Sequence, residues 1–395
     1  MKLDKFFFAA ATVLFFFFSL GVASSDDTTL PQIVITGNST IREDVIVYMS
    51  GLSQNPDLSA EEVKKRLQTT NLFSRVEVSR TDSAVQIDLK QKLTWFAIPY
   101  FSKDASVSVY GLAFGKLAVG GQDMLVVGRG QTGSGNKQAA LFFRQNWVKN
   151  TPWSVGASLD FEDSLKRIFN ERKVVHHTRN QMHGGSIQLA YRFSPYFSLA
   201  LNNYFEYHRF EQPTGEFDNG FQWSHRLTTE YNRFYVDEGL SDGYAGRAFF
   251  EHTNPASTFQ FYKMGLHSAF SPFRRGNFNW IIRPRVEFSP SLPRYQLFEL
   301  GGGRLRSFAT QQFRDRHYVM AQNDFLLASF DFWVLKLRPL VYADWAYIQN
   351  QGRTGLGSGF QIYIRDVAIP AVQFFAGYGF NPNGFAASAA IGPQF

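Results

Sequence analysis

The chain has 395 residues, of which 44% are hydrophobic and 17% aromatic, and it carries a formal net charge of +7. It contains no cysteine, which excludes disulfide frameworks, cysteine-type zinc sites and thiol nucleophiles together. Its basic residues are scattered along alternating segments, a pattern of surface and lumen chemistry and not of a nucleic-acid footprint.

Residues 1–25 have the pattern of an export signal. Lys2 and Lys5 precede an apolar run from Phe6 to Phe18, and small residues follow around Gly21 to Ser25, with cleavage expected near Ala23. The apolar run is shorter than the ~20 residues a membrane-spanning helix needs. Beyond it there is no apolar window of about 18 residues, so any crossing of a membrane must be made by strands. A high aromatic content and 32 glycines beside a mean hydropathy of −0.21 suit strands that alternate lipid-facing and water-facing side chains.

Residues 26–92 form a separate unit. Gln32 to Thr36 is a short β-branched run ended by Gly37 and Asn38, and Thr40 is placed to cap a helix presenting Ile41, Val45, Ile46 and Met49. Gly51 ends that helix. Ser59 caps a second one, with Glu61 and Glu62 in its first turn and Val63 and Leu67 on its apolar side. Two alternating runs, Phe73 to Ser79 and Ala84 to Lys90, flank a polar turn at Arg80 to Ser83. The order β-α-α-β-β spans about 60 residues, enough for one small core, and a generic α+β module fits it.

From Leu93 to Phe395 the period is two. The spacing predicts sixteen strands, at 94–102, 105–116, 121–131, 136–147, 152–163, 184–193, 196–209, 219–235, 241–253, 257–270, 277–289, 317–331, 334–348, 355–366, 369–381 and 385–395. Residues 93–395 are therefore expected to form a transmembrane β-barrel of sixteen antiparallel strands. In Phe278 to Phe288, for example, Phe278, Trp280, Ile282, Val286 and Phe288 alternate with Asn279, Arg283, Arg285 and Glu287. A soluble β-sandwich is the competing architecture, and the outward row Leu335, Leu337, Val341, Trp345 and Tyr347 argues against it. The connections expected to be long, 164–183, 210–218 and 290–316, all have odd rank, which places them on one side of the membrane, with tight turns such as Ser194-Pro195 on the other. Pro284 and Pro339 interrupt two strands and predict local bulges.

Few residues promise chemistry. Gly128 to Gly133 spells G-x-G-x-x-G between alternating segments and is expected to be a hairpin turn, not a nucleotide loop. His176, His177 and His183 lie in a basic segment from Leu165 to His183 in which no carboxylate or cysteine completes a metal-ligand set at regular spacing. No catalytic constellation, cofactor site or metal site is expected, and the chain does not present itself as an enzyme. The constellation that stands out is electrostatic. The long connection carries Leu300 to Phe308, L-G-G-G-R-L-R-S-F, and Asp324 and Asp344 on later strands face the lumen in this register. A loop folding back into the barrel would place the Arg306 guanidinium between the two carboxylates.

These features resemble the BamA/TamA-like outer-membrane assembly and secretion superfamily across nearly the whole of residues 26–395. The β-α-α-β-β order with N-L-F-S-R-V-E-V at Asn71 to Val78 resembles a POTRA domain, the periplasmic module of that family. Leu305, Arg306, Ser307 and Phe308 are similar to its inward loop motif [VIL]-R-G-[FY], with serine in place of glycine, and Asp344-Trp345-Ala346 is similar to its D-x-G segment, with alanine in place of glycine. The terminal Phe395, after Phe385, Ala387, Ala389 and Ile391, resembles the family's barrel signal. The resemblance implies that Arg306 docks on Asp324 and Asp344. It further implies a bacterial outer-membrane protein with its POTRA domain in the periplasm, acting in insertion of other proteins by strand addition to the POTRA domain and to the barrel seam. The implied partners are unfolded or extended client proteins, the lipid bilayer with its lipopolysaccharide, and periplasmic accessory proteins; nucleic acid is not among them. A two-partner-type secretion pore and a passive channel remain as alternatives.

Overall fold

A computed structural model of the chain describes residues 32–37, 40–70, 72–81, 83–91, 94–103, 108–212, 214–237, 240–333, 335–364 and 370–391. The expected export signal, residues 1–25, and the terminal Phe395 lie outside the described residues.

The first unit comprises β1 (Gln32–Thr36), α1 (Glu43–Ser50), α2 (Ala60–Thr69), β2 (Phe73–Arg80) and β3 (Ala84–Gln91). Its sheet has the order β1-β3-β2, with β1 parallel to β3 and β2 antiparallel to it. Gly51, at φ 82°, closes α1 in the left-handed conformation that glycine adopts without strain. Ser59 caps α2 by accepting from the Glu62 N–H at 3.3 Å. The cap of α1 is Arg42 and not Thr40, and the Arg42 side chain makes no capping bond; Glu43 and Asp44 supply the favourable charge instead. Tertiary contact explains the shift, because the Arg42 N–H donates to Gly121 O, at a turn of the barrel, at 3.0 Å.

The chain continues through β4 (Trp95–Lys103), β5 (Ser108–Lys116), β6 (Met124–Gly133), β7 (Asn136–Gln145), β8 (Trp153–Asn170), β9 (Lys173–Arg192), β10 (Phe197–Glu211) and β11 (Phe217–Asn232). A small hairpin, β12 (Tyr235–Asp237) and β13 (Leu240–Asp242), precedes β14 (Tyr244–Thr253), β15 (Tyr262–Arg275) and β16 (Phe278–Phe288). Then come β17 (Phe298–Leu300), β18 (Phe313–Asp315), β19 (His317–Leu326), β20 (Phe330–Phe332), β21 (Leu335–Ile348), β22 (Gln351–Ile364), β23 (Pro370–Phe380) and β24 (Gly384–Ile391). Sixteen of these close into one antiparallel barrel in which β24 meets β4, with β20 a short piece paired to the start of β21. Closure leaves no long sheet edge to be buried in hydrocarbon. Leu112, Phe114, Leu141, Leu227, Val286, Val341 and Leu356 face outward, while Glu251, Arg338 and Asp344 are buried on the lumen side.

Three expectations are corrected. Residues 164–183 are not a loop: β8 and β9 continue as one tall hairpin whose turn is Glu171-Arg172. Once the hairpin rises past the apolar band both faces become polar, as in the ion pair between Arg179 and Asp163 at 2.6 Å, so the period-two apolar signal fades although the strands persist. Gly128 and Gly130 lie within β6 and not in a turn; a Cβ at Gly128 would come within 2.4 Å of the Phe114 ring, which lies across it. The connection from β11 to β14 is not tight. Its hairpin enters the lumen, where the Ser241 N–H donates to Asn279 Oδ1 at 3.0 Å and Asn279 Nδ2 donates to Ser241 O at 2.9 Å. Beside Pro284 and Pro339 the ladder is unbroken on one side and irregular on the other, as expected. β15 passes from His267↔Arg285 to Phe270↔Ile282 and then shifts register, and opposite Pro339 the pairing passes from Leu326↔Leu340 to Phe330↔Leu337 with one extra residue. A strand residue points its N–H at only one of its two neighbours, so each proline forfeits one bond and leaves the other side paired.

The α+β module is seated on the barrel. Val45, Ile46, Leu52, Val63, Leu67 and Ile87 form its buried centre, and Ala118 and Trp147, from the turns after β5 and β7, are part of the same core. Tyr48 meets Trp147 edge to face at 5.1 Å, and the Arg192 guanidinium lies 4.2 Å from that indole ring. In the turn after β9, the Tyr196 hydroxyl donates to Glu62 Oε1 at 2.9 Å. Burial pushes the Glu62 carboxyl up, but the hydrogen bonds from Tyr196 and Arg66 outweigh it and leave the carboxyl below its ordinary range. Burial, helped by that carboxylate, pushes the Tyr196 hydroxyl up to about 12. The contact's contribution is therefore present from neutral pH down to the ordinary carboxylate range. It is lost as pH falls through the lowered Glu62 value, below the ordinary carboxylate range, and again as pH rises through about 12. Protease protection of the module in the full chain, followed against pH, should show this plateau with a loss at each end.

Candidate functional site: a clamped loop inside the barrel

Between β16 and β19 the chain makes a closed loop. Gly301 and Gly302 have φ of 118° and 58°, and the Gly302 N–H donates to Phe308 O at 2.8 Å, so the tip from Gly302 to Phe308 is tied at its neck. A Cβ at Gly301 would fall 1.9 Å from Ala309 O. β17 and β18 pair below the tip, and Leu300, Leu305, Phe308 and Phe313 pack with Tyr318, Met320, Ala346 and Ile348 of the wall. Gln322 Nε2 donates to Gly303 O at 2.9 Å, and Gln296 Nε2 donates to Gln222 Oε1 of β11 at 2.5 Å. The loop is therefore held inside the barrel by both apolar packing and hydrogen bonds.

At its tip Arg306 is 5% exposed and lies between Asp344 (0%) and Asp324 (3%). Its Nε donates to Asp344 Oδ2 at 3.0 Å, its Nη2 to Asp344 Oδ1 at 2.6 Å and its Nη1 to Asp324 Oδ1 at 2.5 Å. The Arg306 backbone N–H adds a bond to Asp344 Oδ2 at 2.9 Å. This fork-to-carboxylate pairing is the geometry that guanidinium alone offers. Arg283 of β16 binds the second oxygen of Asp324, so two guanidinium groups face two carboxylates and the buried cluster is neutral. Tyr342 and Phe375 stand beside the guanidinium, their ring centroids 4.1 and 5.2 Å from its carbon. Arg283, Tyr342 and Phe375 escape a reading for acids alone, although Arg283 sits on the charged face of an alternating strand.

Ser307, in place of a glycine, is fully buried and fits because glycines stand opposite it. A Cβ at Gly355 would lie 2.8 Å from Ser307 Oγ, and one at Gly377 would lie 2.7 Å from it. The Ser307 hydroxyl meets the Tyr342 hydroxyl at 3.2 Å. Ser307→Gly removes that bond and a small volume and should cost about 1 kcal/mol or less. A shift of more than a few degrees in the temperature at which the folded barrel changes its gel mobility would contradict this. Ala346, in place of the other glycine, is completely buried in the core that holds the loop.

The other candidates do not assemble. His176 and His177 lie on the tall hairpin, and His183 packs on Phe161 with centroids 5.0 Å apart. Among the described residues no group of three acidic, histidine or cysteine side chains could hold a metal. One serine spacing is absent from the reading by alternation: Gly239 to Gly243 spells G-x-S-x-G. Ser241 lies in the lumen hairpin, 6% exposed, with its backbone spent on Asn279 and no helix after it, so the strand-turn-helix setting of a nucleophile is absent there.

A closed barrel of sixteen antiparallel strands, apolar outside, with an arginine-bearing loop clamped in its lumen, has the build of an outer-membrane β-barrel. Residues 121–365 match the Omp85 superfamily domain, and the chain belongs to that superfamily. BamA from Haemophilus ducreyi lacking POTRA domains 1–3 superposes with a TM-score of 0.60 at 14% identity, over 92% of this chain and 84% of that one. CdiB from Escherichia coli gives 0.64 at 13% identity over 92% and 76% of the two chains, and CdiB from Acinetobacter baumannii gives 0.59 at 11% over 92% and 73%. At such identities the likeness is one of fold. No curated protein matches the chain in sequence.

Proposed function

We propose that this protein inserts client proteins into the bacterial outer membrane. Its α+β module acts as a periplasmic POTRA domain spanning residues 26–92, and the seam between β4 and β24 is the place where a client strand pairs. The observation that carries this reading is the seam itself. β24 follows β23 from Val372↔Ile391 to Gly379↔Gly384, and β4 follows β5 from Trp95↔Lys116 to Lys103↔Ser108. Between β24 and β4 the described residues pair at Ala389↔Lys103, Ala390↔Ser102 and Ile391↔Phe101. The seam joins the first and last strands of the barrel with no turn between them, so parting it breaks no hairpin and exposes two strand edges that can accept another strand. The module leaves β1 and β2 at the two edges of its sheet, where an extended client can be held before transfer. The clamp of Arg306 on Asp324 and Asp344 keeps the loop fixed to the wall beside the seam strands while they move. Folding of the client supplies the free energy.

Cysteines at Ser102 and Ala390, which face each other across the seam, test the reading cleanly because the chain has none of its own. The oxidised, tethered protein is expected to lose insertion of a client barrel into vesicles and to regain it on reduction. Equal activity of tethered and reduced protein would overturn the seam mechanism. The likeness to CdiB favours a second reading, a two-partner secretion pore, in which the client crosses the lumen; there the tether leaves translocation intact.

A further inference from the structure

The tip of the tall hairpin reaches across the mouth of the barrel to the last strands. Arg172, in the turn between β8 and β9, donates from Nη2 to Gly384 O at 2.8 Å and to Pro382 O at 3.0 Å, and from Nε to Pro382 O at 3.1 Å. The carbonyls of Ser307 and Gly379 complete the collar at 3.4 and 3.5 Å, and the Phe308 ring lies 5.1 Å from the guanidinium. The slot is cut for this side chain: a Cβ at Gly379 would fall 2.7 Å from Arg172 Nη2, and one at Gly384 would fall 2.6 Å from its Nε. Glu171 and Arg167 bind the loop as well, through Gln312 Nε2 to Glu171 O at 2.8 Å and the Arg167 N–H to Gln311 Oε1 at 3.3 Å.

We infer that Arg172 is a latch: it positions the β23–β24 hairpin against the loop tip and so holds the seam strand β24 in its closed place until the hairpin lifts. The inference rests on the proposed seam and adds its regulation. Arg172 and Arg306 differ in what they grip. Arg306 is buried between carboxylates, and parting it from them would leave uncompensated charge, so it does not let go. Arg172 grips neutral carbonyls, and on release the guanidinium and the part-exposed carbonyls of Pro382 and Gly384 are taken up by water, so its two states are closer in free energy than those of Arg306. One guanidinium touches the loop tip, the last turn and the first residue of the last strand, and the carbonyls of all three are freed together when it leaves.

Hydrogen exchange of the full-length protein in lipid, on Arg172→Ala and Arg172→Lys, tests the latch. In Arg172→Ala the amides of Gly384 to Ile391 are expected to exchange about tenfold faster, the loss of charged hydrogen bonds setting the scale, while β10 to β16 keep their protection. Arg172→Lys, which keeps the charge and not the fork, is expected to fall between the two. Unchanged exchange at 384–391, or faster exchange spread over the whole barrel, overturns the latch. The two ideas fail separately, because a tethered Ser102–Ala390 cysteine pair that leaves insertion intact refutes the seam whatever Arg172 does.

Discussion

Arg306→Ala is expected to release the loop from the barrel wall while leaving the α+β module folded. The substitution deletes four hydrogen bonds' worth of orientation, three from the guanidinium and one that depends on it through the backbone, and strands Asp344 at 0% exposure without a counter-charge. Breaking a buried pair in this way costs about 3–5 kcal/mol. Residues 290–316 should become open to protease, the barrel should lose its folded gel mobility at a lower temperature, and insertion activity should fall. Arg306→Lys should recover little, because an ammonium cannot reach Asp344 and Asp324 with the same planar fork. Adding Asp344→Asn to Arg306→Ala should restore part of the stability, since it removes the stranded charge, but not the activity. A loop with unchanged protease resistance and a protein with unchanged activity would show that the clamp holds nothing.

The second large effect is expected at a position with no side chain. A Cβ at Gly377 would lie 2.3 Å from the Tyr342 hydroxyl, 2.5 Å from Leu356 O and 2.7 Å from Ser307 Oγ. Gly377→Val therefore pushes on the loop tip, on the ring beside Arg306 and on the neighbouring strand together, at about 1–3 kcal/mol for the overpacking alone. Gly352→Ala, on the adjacent β22 with nothing within 4 Å of its Cβ, is the control and should be silent. Combining Gly377→Ala with Ser307→Gly should recover part of the loss, because the two positions share one space. Additive losses in that pair would mean that the glycine serves the strand and not the loop.

The alternation of Phe278 to Phe288 made a two-faced strand legible, and the same period recovered sixteen strands with the correct side for Asp324 and Asp344. It failed where both faces are polar, as in the upper halves of β8 and β9, because periodicity detects contrast and not strands. It failed again at the β12–β13 hairpin, whose three-residue strands are too short to show a period although Leu240 is buried in the lumen. Arg306 could be matched to acids because long-range partners of opposite charge are few. Arg172 could not, because its partners are backbone carbonyls, which every residue has. The glycines at 355, 357, 377 and 379, spaced by two on neighbouring strands, were the one visible sign that something large lies against that wall.

The seating of the α+β module has a mechanical consequence. Trp147, Ala118 and Tyr196 bolt it to the turns after β7, β5 and β9, all in the half of the barrel that begins with β4. If the seam parts as proposed, module and first half would swing as one body away from β24, with the module as a lever on the barrel. A pull on a chain bound to the module would then arrive at the seam as torque. Spin labels should report it as a distance from module to β24 that lengthens on opening, while the distance from module to β8 stays fixed.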